Sequence, residues 1–412
     1  MQLTPDIAAP LLMVNRVQPY SWGERGKQAF IARLLGAEPA GDESYAELWM
    51  GTHPNAPSAV VVGGEAVPLA GLIAAHPHEI LGPAVHRRFG SSLPFLFKVL
   101  SAAEPLSIQV HPGRAQAERL HARDPEHYPD GNHKPEVAIA LDGLSALVGF
   151  KPFGGIVAAL QRYPELTGLV GTDVACQLAQ ARQPSPEDER ALLRLFYSTL
   201  LQRSLSHPQD LREATSRLAT RLRLVASRNR EETLFLDLQQ RYEGPDVGPF
   251  SALLLNYVQL EPGQGVFIPA GVPHAYLRGN IIECMAASDN VLRLGLTTKF
   301  VDIPTLLQVL TYELGPLPVV EPTPGATETV YHTPAAEFQV TRLRLASGEQ
   351  VFRAPAGPQV LLALQGQALI RWREGSLVLR RGQSAFLPHC LGEYELVAET
   401  PAELYRAEVP PR

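Results

Sequence analysis

Cysteine is nearly missing from this chain. Cys176, Cys284 and Cys390 are all that occur in 412 residues, and no two form a CxxC pair. So sparse and odd a set excludes a disulfide framework and fits a reducing compartment. Long apolar runs are missing too. No stretch approaches the roughly 20 residues that span a bilayer, and Met1 to Tyr20 has neither the basic start nor the apolar run of a signal peptide. A cytoplasmic location, away from membranes, is therefore expected. A basic excess is also lacking: 36 Lys and Arg face 42 Asp and Glu, for a formal charge of −6. That balance argues against nucleic acid or an anionic membrane as partner, and an anionic substrate would need a local cluster of cations.

What is present is the composition of a folded protein, with 45% hydrophobic and 19% charged residues. The length exceeds what one core usually organises, so two or three units are expected. The first ~150 residues are rich in Pro and Gly, with strand-like runs at Phe95 to Leu100, Leu106 to Val110 and Val137 to Leu141 and a helix around Arg114 to His121. From about Gly154 to Tyr242 the pattern turns helical. Ser185, Pro186 and Asp188 make a helix start: a capping hydroxyl, proline at the first position and acid in the first turn. Leu192, Phe196 and Leu200 mark one apolar face. Leu211, Leu218, Leu222 and Val225 mark another, with Arg212, Arg217, Arg221 and Arg223 mostly off it and read as solvated helix surface. Strands resume at Leu253 to Val258, Val266 to Pro269 and Ile281 to Met285. A Pro-rich connector, Pro316 to Pro324, then leads to a last β-like unit with runs at Gln359 to Leu364, Ala368 to Trp372 and Ser376 to Leu379.

Three segments carry chemistry. If Ser107 to His111 is a strand, Ser107, Gln109 and His111 share one face and Ile108 and Val110 the other. Ser, Gln and His suit a polar cavity better than a core, and Pro112 ends the ladder. Lys134 and Glu136 likewise share a face, opposite Val137 and Ile139. The third segment runs Gly263, five residues, Pro269, one residue, Gly271, two residues, His274. It resembles the second motif of the cupin superfamily. Gly263 and Gly271 permit tight turns around a short strand, and the resemblance places His274 where cupins carry a metal ligand. Gln109, His111, Glu136 and His274 then offer two imidazole nitrogens and two oxygen donors, a mixed set that suits zinc with one position open. Downstream, Glu283, Asp289, Arg293 and Lys299 punctuate an apolar run. Arg293 and Lys299 are placed to hold a phosphate or a developing oxyanion.

Longer segments carry a closer likeness: Tyr20 to Gly23, Ala46 to Pro54, Leu106 to Pro112, Gly131 to Glu136, and Pro273 through Phe300. With these the chain resembles the type I mannose-6-phosphate isomerase (phosphomannose isomerase) family. The resemblance implies a mainly β fold with a helical insertion, built as two cupin-type jelly-roll barrels plus an α-helical domain. Residues 1–152 and 244–320 would form the catalytic cupin, 153–243 the helical insertion and 325–412 a degenerate cupin without metal. It implies one zinc per chain on the four ligands above, and Arg293 in the place of the family's catalytic arginine. Lys98, Ser107, Lys134, Tyr276, Glu283, Asp289 and Lys299 match polar residues of the family's active site. The implied reaction is aldose–ketose isomerisation between mannose 6-phosphate and fructose 6-phosphate by a monomer, with GDP-mannose biosynthesis as the implied pathway.

Lys134 beside Glu136 is the favoured base, with Glu283 and Asp289 as alternatives, and Ser107 with Lys98 or Lys299 is expected to grip the phosphate. Arg278 and Asn280 depart from the family's common Ser and Asp, and Thr298 and Leu294 from Pro and Ala; Arg278 is expected at the cavity rim. Gly382 and Pro388 repeat the motif spacing near the C-terminus, but Cys390 stands at the Gly position and Glu393 at the His position, while His389 reads as a turn residue. Three rivals differ in chemistry. A cupin dioxygenase would present a third His where Gln109 stands, a sugar-phosphate-sensing cupin has no use for Lys134, Glu283 and Arg293, and a glucose 6-phosphate isomerase differs only in the stereochemistry of its sugar.

Overall fold

In a computed structural model, which describes residues 7–242 and 244–411, strands dominate and helices are gathered into one stretch. Among the described residues the strands make sheets of eleven and eight, a sheet of four and a two-stranded ribbon.

The eleven-stranded sheet is organised by one long strand, His274–Ala286. Its second half pairs antiparallel with Phe95–Ala102, setting Glu283 opposite Lys98, and with Glu136–Ala140, setting Met285 opposite Glu136. Its first half pairs with Leu144–Phe150. The change of partner falls at Gly279, whose φ is +134°. A Cβ there would lie 2.1 Å from the Gly143 carbonyl oxygen, so only glycine fits the bend. At the near end His274 lies opposite Gln109, and Gln109 lies opposite Arg293 of Leu292–Gly295. Three distant segments are thereby set side by side. The strand expected from Leu106 begins only at Ile108, and the one expected from Leu253 begins at Leu255, because Leu253 and Leu254 complete a short helix, Ser251–Leu254.

Six helices fill Phe153 to Arg241. Three of them restart on a proline, Pro164, Pro186 and Pro208, whose fixed φ and missing N–H suit the first helical position. The start at Ser185 is a capping box: Ser185 Oγ accepts the Asp188 N–H at 3.2 Å, and the Asp188 carboxylate accepts the Ser185 N–H at 3.1 Å. Helix Pro186–Ser206 buries Leu193, Phe196, Tyr197, Leu200 and Leu201. Leu192 is only half-buried, because the 3.6-residue period centres the stripe one position later. Val225 follows the end of Pro208–Leu224 and is exposed. Arg221 is more than solvated surface, since its guanidinium forks onto Glu165 at 2.8 and 2.7 Å.

Glu232 is the polar keystone of the helical part. It is buried, accepts Nε and Nη2 of Arg162 at 2.9 and 2.8 Å, and closes the capping box on Asn229. Glu232→Ala is expected to cost about 2–3 kcal/mol in thermal unfolding. Burial pushes this carboxyl up, but Arg162 and the Asn229 N–H outweigh it and hold it below the usual 4.5. The stabilisation is therefore complete above 4.5 and falls away as pH drops through the lower, folded-state value. An alanine variant whose deficit is the same at pH 7 and in acid would exclude this role.

The C-terminal strands do not stand alone. Leu11–Val14 pairs with Ser384–Leu387, setting Leu11 opposite Phe386, and Ala59–Val62 pairs in turn with Leu11–Val14. The eight-stranded sheet thus joins the two ends of the chain across the boundary expected at residue 325. The reason is a shared core: Phe97 and Ile282 from one β region pack in the same cluster as Val360, Phe386 and Tyr405 from the other. The Pro-rich connector adds Val319–Val320 to the edge of the eleven-stranded sheet. His389 lies in a one-turn helix, as a turn residue should.

Candidate metal centre and active-site cavity

Glu136 opens its strand directly after Pro135, His111 follows a strand halted by Pro112, and His274 begins the long strand after the Gly271 turn. Folding brings the three together, each buried. His111 Nε2 lies 3.4 Å from Glu136 Oε1, and His274 Nε2 lies 3.2 Å from Glu136 Oε2. The other nitrogen of each ring is tied to a backbone carbonyl: His111 Nδ1 to Asn290 at 2.8 Å and His274 Nδ1 to Val272 at 3.1 Å. A carbonyl only accepts, so each Nδ1 carries the proton and each Nε2 presents a lone pair. Two lone pairs thus face a carboxylate, an array of acceptors without a donor among them. His111 Nε2 is buried without a hydrogen-bond partner, and burial, then the Lys134 cation, pushes its imidazole down to about 4. One donor atom from each residue falls within a 4.8 Å cluster. This donor set fits a divalent ion of zinc's class. Gln109, outside the cluster of ionisable groups, lies beside His274 in the sheet and lines the same recess.

The recess holds 60 Å³ and is walled by Gln109, Glu136, His274, Tyr276, Glu283 and Lys98. Lys134 Nζ lies 3.2 Å from Glu136 Oε1. Burial pushes the Glu136 carboxyl up, but the Lys134 cation outweighs it and keeps it well below the usual range. Lys98 is placed differently from a phosphate grip. Its ammonium lies 3.0 Å from Glu283 and 3.4 Å from Glu47, 5.0 Å from the Trp49 ring. Burial disfavours the charge, yet the two carboxylates more than offset that and hold Lys98 charged. A lysine already neutralised twice has little left for an anion. Burial raises both the Glu283 carboxyl and the Tyr276 phenol.

The recess opens into a cavity of 360 Å³ lined by Ser107, Gln109, Lys134, Asp289, Arg293 and Lys299, among others. Asp289 is held at both oxygens: His53 Nε2 lies 3.0 Å from Oδ1 and Asn55 Nδ2 donates to Oδ2 at 3.0 Å. Burial pushes this carboxyl up, but the His53 contact and nearby cations bring it below the usual value. Arg293 is half-buried and, among the described residues, has no ion pair or side-chain hydrogen bond; burial alone lowers its pKa. Lys299 is exposed at the outer lip, and its N–H donates to Thr297 Oγ1 at 3.0 Å. Arg278 points elsewhere: it is exposed beside Ser145 and lines neither space, because it sits before the bend at Gly279.

His53, Asn55, Glu47, Trp49 and Asn290 were not singled out as functional from the sequence. Glu47 and Trp49 carried a signal, alternating in Glu47–Met50 with both polar ends on one face. Nothing local ties His53 to Asp289, which lies 236 residues away.

Residues 11–153 match the family model described as phosphomannose isomerase type I, catalytic domain. Mannose-6-phosphate isomerase 2 of Arabidopsis thaliana is 38% identical over 96% of this chain and 92% of its own length. Mannose-6-phosphate isomerase of Homo sapiens is 37% identical over 86% of each chain. Among solved structures, a zinc-bound mannose 6-phosphate isomerase matches with a TM-score of 0.84 at 33% identity, covering 98% of this chain and 100% of that one. A variant of phosphomannose isomerase from Salmonella typhimurium matches with a TM-score of 0.85 at the same identity and coverage.

Proposed function

The chain belongs to the type I phosphomannose isomerase family, and on that premise we propose that its cavity interconverts mannose 6-phosphate and fructose 6-phosphate through a cis-enediolate. Gln109, His111, Glu136 and His274 would hold one zinc per chain. When bound, it supplies polarisation of the sugar's carbonyl and neighbouring hydroxyl, worth several kcal/mol to the enediolate.

The chain's own residues do the rest. Lys134 lines both the recess and the outer cavity, so a sugar entering from outside meets its Nζ. As a neutral amine, with zinc rather than Lys134 balancing the Glu136 charge, it would take the proton from C2 and return it to C1, while the O2 hydroxyl proton passes to O1, so that the sugar's formula is unchanged. Glu283 and Asp289 are the alternative acid–base groups, and of these Asp289 faces the larger space. Arg293, without an ion-pair partner among the described residues, faces the charge that develops on the enediolate oxygen. Ser107 and Lys299 receive the phosphate, since Lys98 is occupied by Glu47 and Glu283.

The observation that carries this reading is the pair of lone-pair-bearing Nε2 atoms aimed at Glu136.

The scaffold reads as two cupin-type jelly-roll barrels, 1–152 with 244–320 carrying the site and 325–412 without metal, plus the insertion 153–243. A monomeric, cytoplasmic enzyme supplying GDP-mannose biosynthesis completes the reading. No helix among the described residues is long and apolar enough to cross a membrane.

Turnover on mannose 6-phosphate beside glucose 6-phosphate tests it, with zinc content measured. Mannose 6-phosphate is expected to react, a chelator to abolish the reaction and zinc to restore it. Turnover of glucose 6-phosphate alone would shift the assignment to that sugar, and no turnover by fully zinc-loaded protein would end it.

A further inference from the structure

Strand Leu292–Gly295 carries Arg293, and the residue after it is strained. Leu296 has φ +55°, a left-handed conformation rare for a branched side chain, and its side chain is buried. Such a turn persists only where its surroundings hold it. Here the hold comes from the exit of the helical insertion. Gly248 and Gly295 lie so close that a Cβ on Gly295 would be 2.7 Å from Gly248 Cα, and a Cβ on Gly248 would be 2.6 Å from the Leu296 nitrogen.

Asp246 sits at this contact. Its Oδ1 accepts the Gly248 N–H at 2.6 Å and its Oδ2 accepts the Thr297 N–H at 3.3 Å, with the Leu296 N–H also directed at the carboxylate. No cation pairs with it among the described residues, so backbone N–H groups are its counterweight. Thr297 then passes the order on, since its hydroxyl accepts the Lys299 N–H. A carboxylate that takes no part in the proposed chemistry is thus linked through one turn to the outer lip, where Thr297, Thr298 and Lys299 line the cavity.

We propose that Asp246 is a positioning residue for phosphate recognition, fixing the 296–299 turn so that Lys299 and the backbone beside it meet the substrate's anionic end. The proposal rests on the reading of that lip as the phosphate end of the cavity. The metal-site residues stand on other strands and Asp246 touches none of them, so affinity should suffer more than turnover.

The test uses zinc-loaded, full-length Asp246→Asn, with Asp246→Ala as the harsher variant and Lys299→Met alongside. Asparagine keeps the shape but sets an NH₂ against a backbone N–H, so one of the holding bonds is lost. The KM for mannose 6-phosphate is expected to rise about tenfold or more. The inhibition constant of inorganic phosphate should rise by the same factor, while kcat stays within about threefold and zinc content is unchanged. If Lys299→Met leaves phosphate inhibition unaltered, the reading of the lip fails. If Lys299→Met weakens phosphate but neither Asp246 variant does, the positioning role fails. A fall in kcat, zinc content and thermal midpoint together, with phosphate inhibition unmoved, would make Asp246 a folding residue and overturn the proposal.

Discussion

Glu136→Gln is expected to lower mannose 6-phosphate turnover about a thousandfold. Among the described residues Glu136 is the anion that lies between His111 Nε2 and His274 Nε2, at 3.4 and 3.2 Å. An amide of the same size keeps one oxygen donor but removes the charge and turns N–H groups toward an imidazole. If zinc contributes about 4 kcal/mol to the enediolate, its loss is worth roughly three powers of ten. A second measurement separates this from general damage. Zinc at about a hundred times its dissociation constant should raise wild-type stability by about 2.7 kcal/mol, and should leave the variant's thermal midpoint nearly unmoved. Glu136→Gln protein that retains stoichiometric zinc and ordinary turnover would remove this carboxylate from the site. The variant also strands Lys134, whose ammonium loses its carboxylate at 3.2 Å, so some loss of stability without zinc is expected.

Lys134→Met is expected to cost between about a hundred- and ten-thousandfold in kcat, the range for losing a general base, with zinc still bound. Methionine keeps much of the length and apolar stem of lysine in a buried position. What disappears is the titratable nitrogen facing both spaces. Zinc retention is the discriminating measurement, because Lys134 sits beside a proposed ligand but is not one. Near-normal turnover would pass the role of base to Asp289 or Glu283. Asp289 would then be the stronger claimant, since His53 and Asn55 orient both its oxygens and its edge faces the cavity, whereas Glu283 is committed to Lys98.

The four proposed ligands were legible because each rests on a short-range rule. Strand alternation puts Gln109 with His111 and Lys134 with Glu136, and a glycine-bounded turn delivers His274. The helix start at Ser185 and Pro186 is equally local, being set by φ restriction and by which groups cap the first N–H groups. The part played by Lys98 could not be read from the sequence, for the opposite reason. Whether a lysine can bind phosphate depends on which carboxylates lie within a few ångströms, and Glu47 and Glu283 reach it only by strand pairing. The roles of His53 and Asn55 were hidden on the same ground, and so was that of Asp246, whose partner Thr297 lies 51 residues on in the sequence.

By itself, then, the sequence determined the inventory: which groups can ligate, where helices begin, which strands alternate and which turns need glycine. These depend on backbone sterics and on neighbours one to four residues away. Only the tertiary structure decided which charges cancel and which stay free. It left Arg293 without an ion pair among the described residues while setting two carboxylates on Lys98, and aimed two imidazole lone pairs at one carboxylate. It also laid the first strand of the chain against Ser384–Leu387. Coulomb and packing energies follow distance through space, and distance along the chain says little about it.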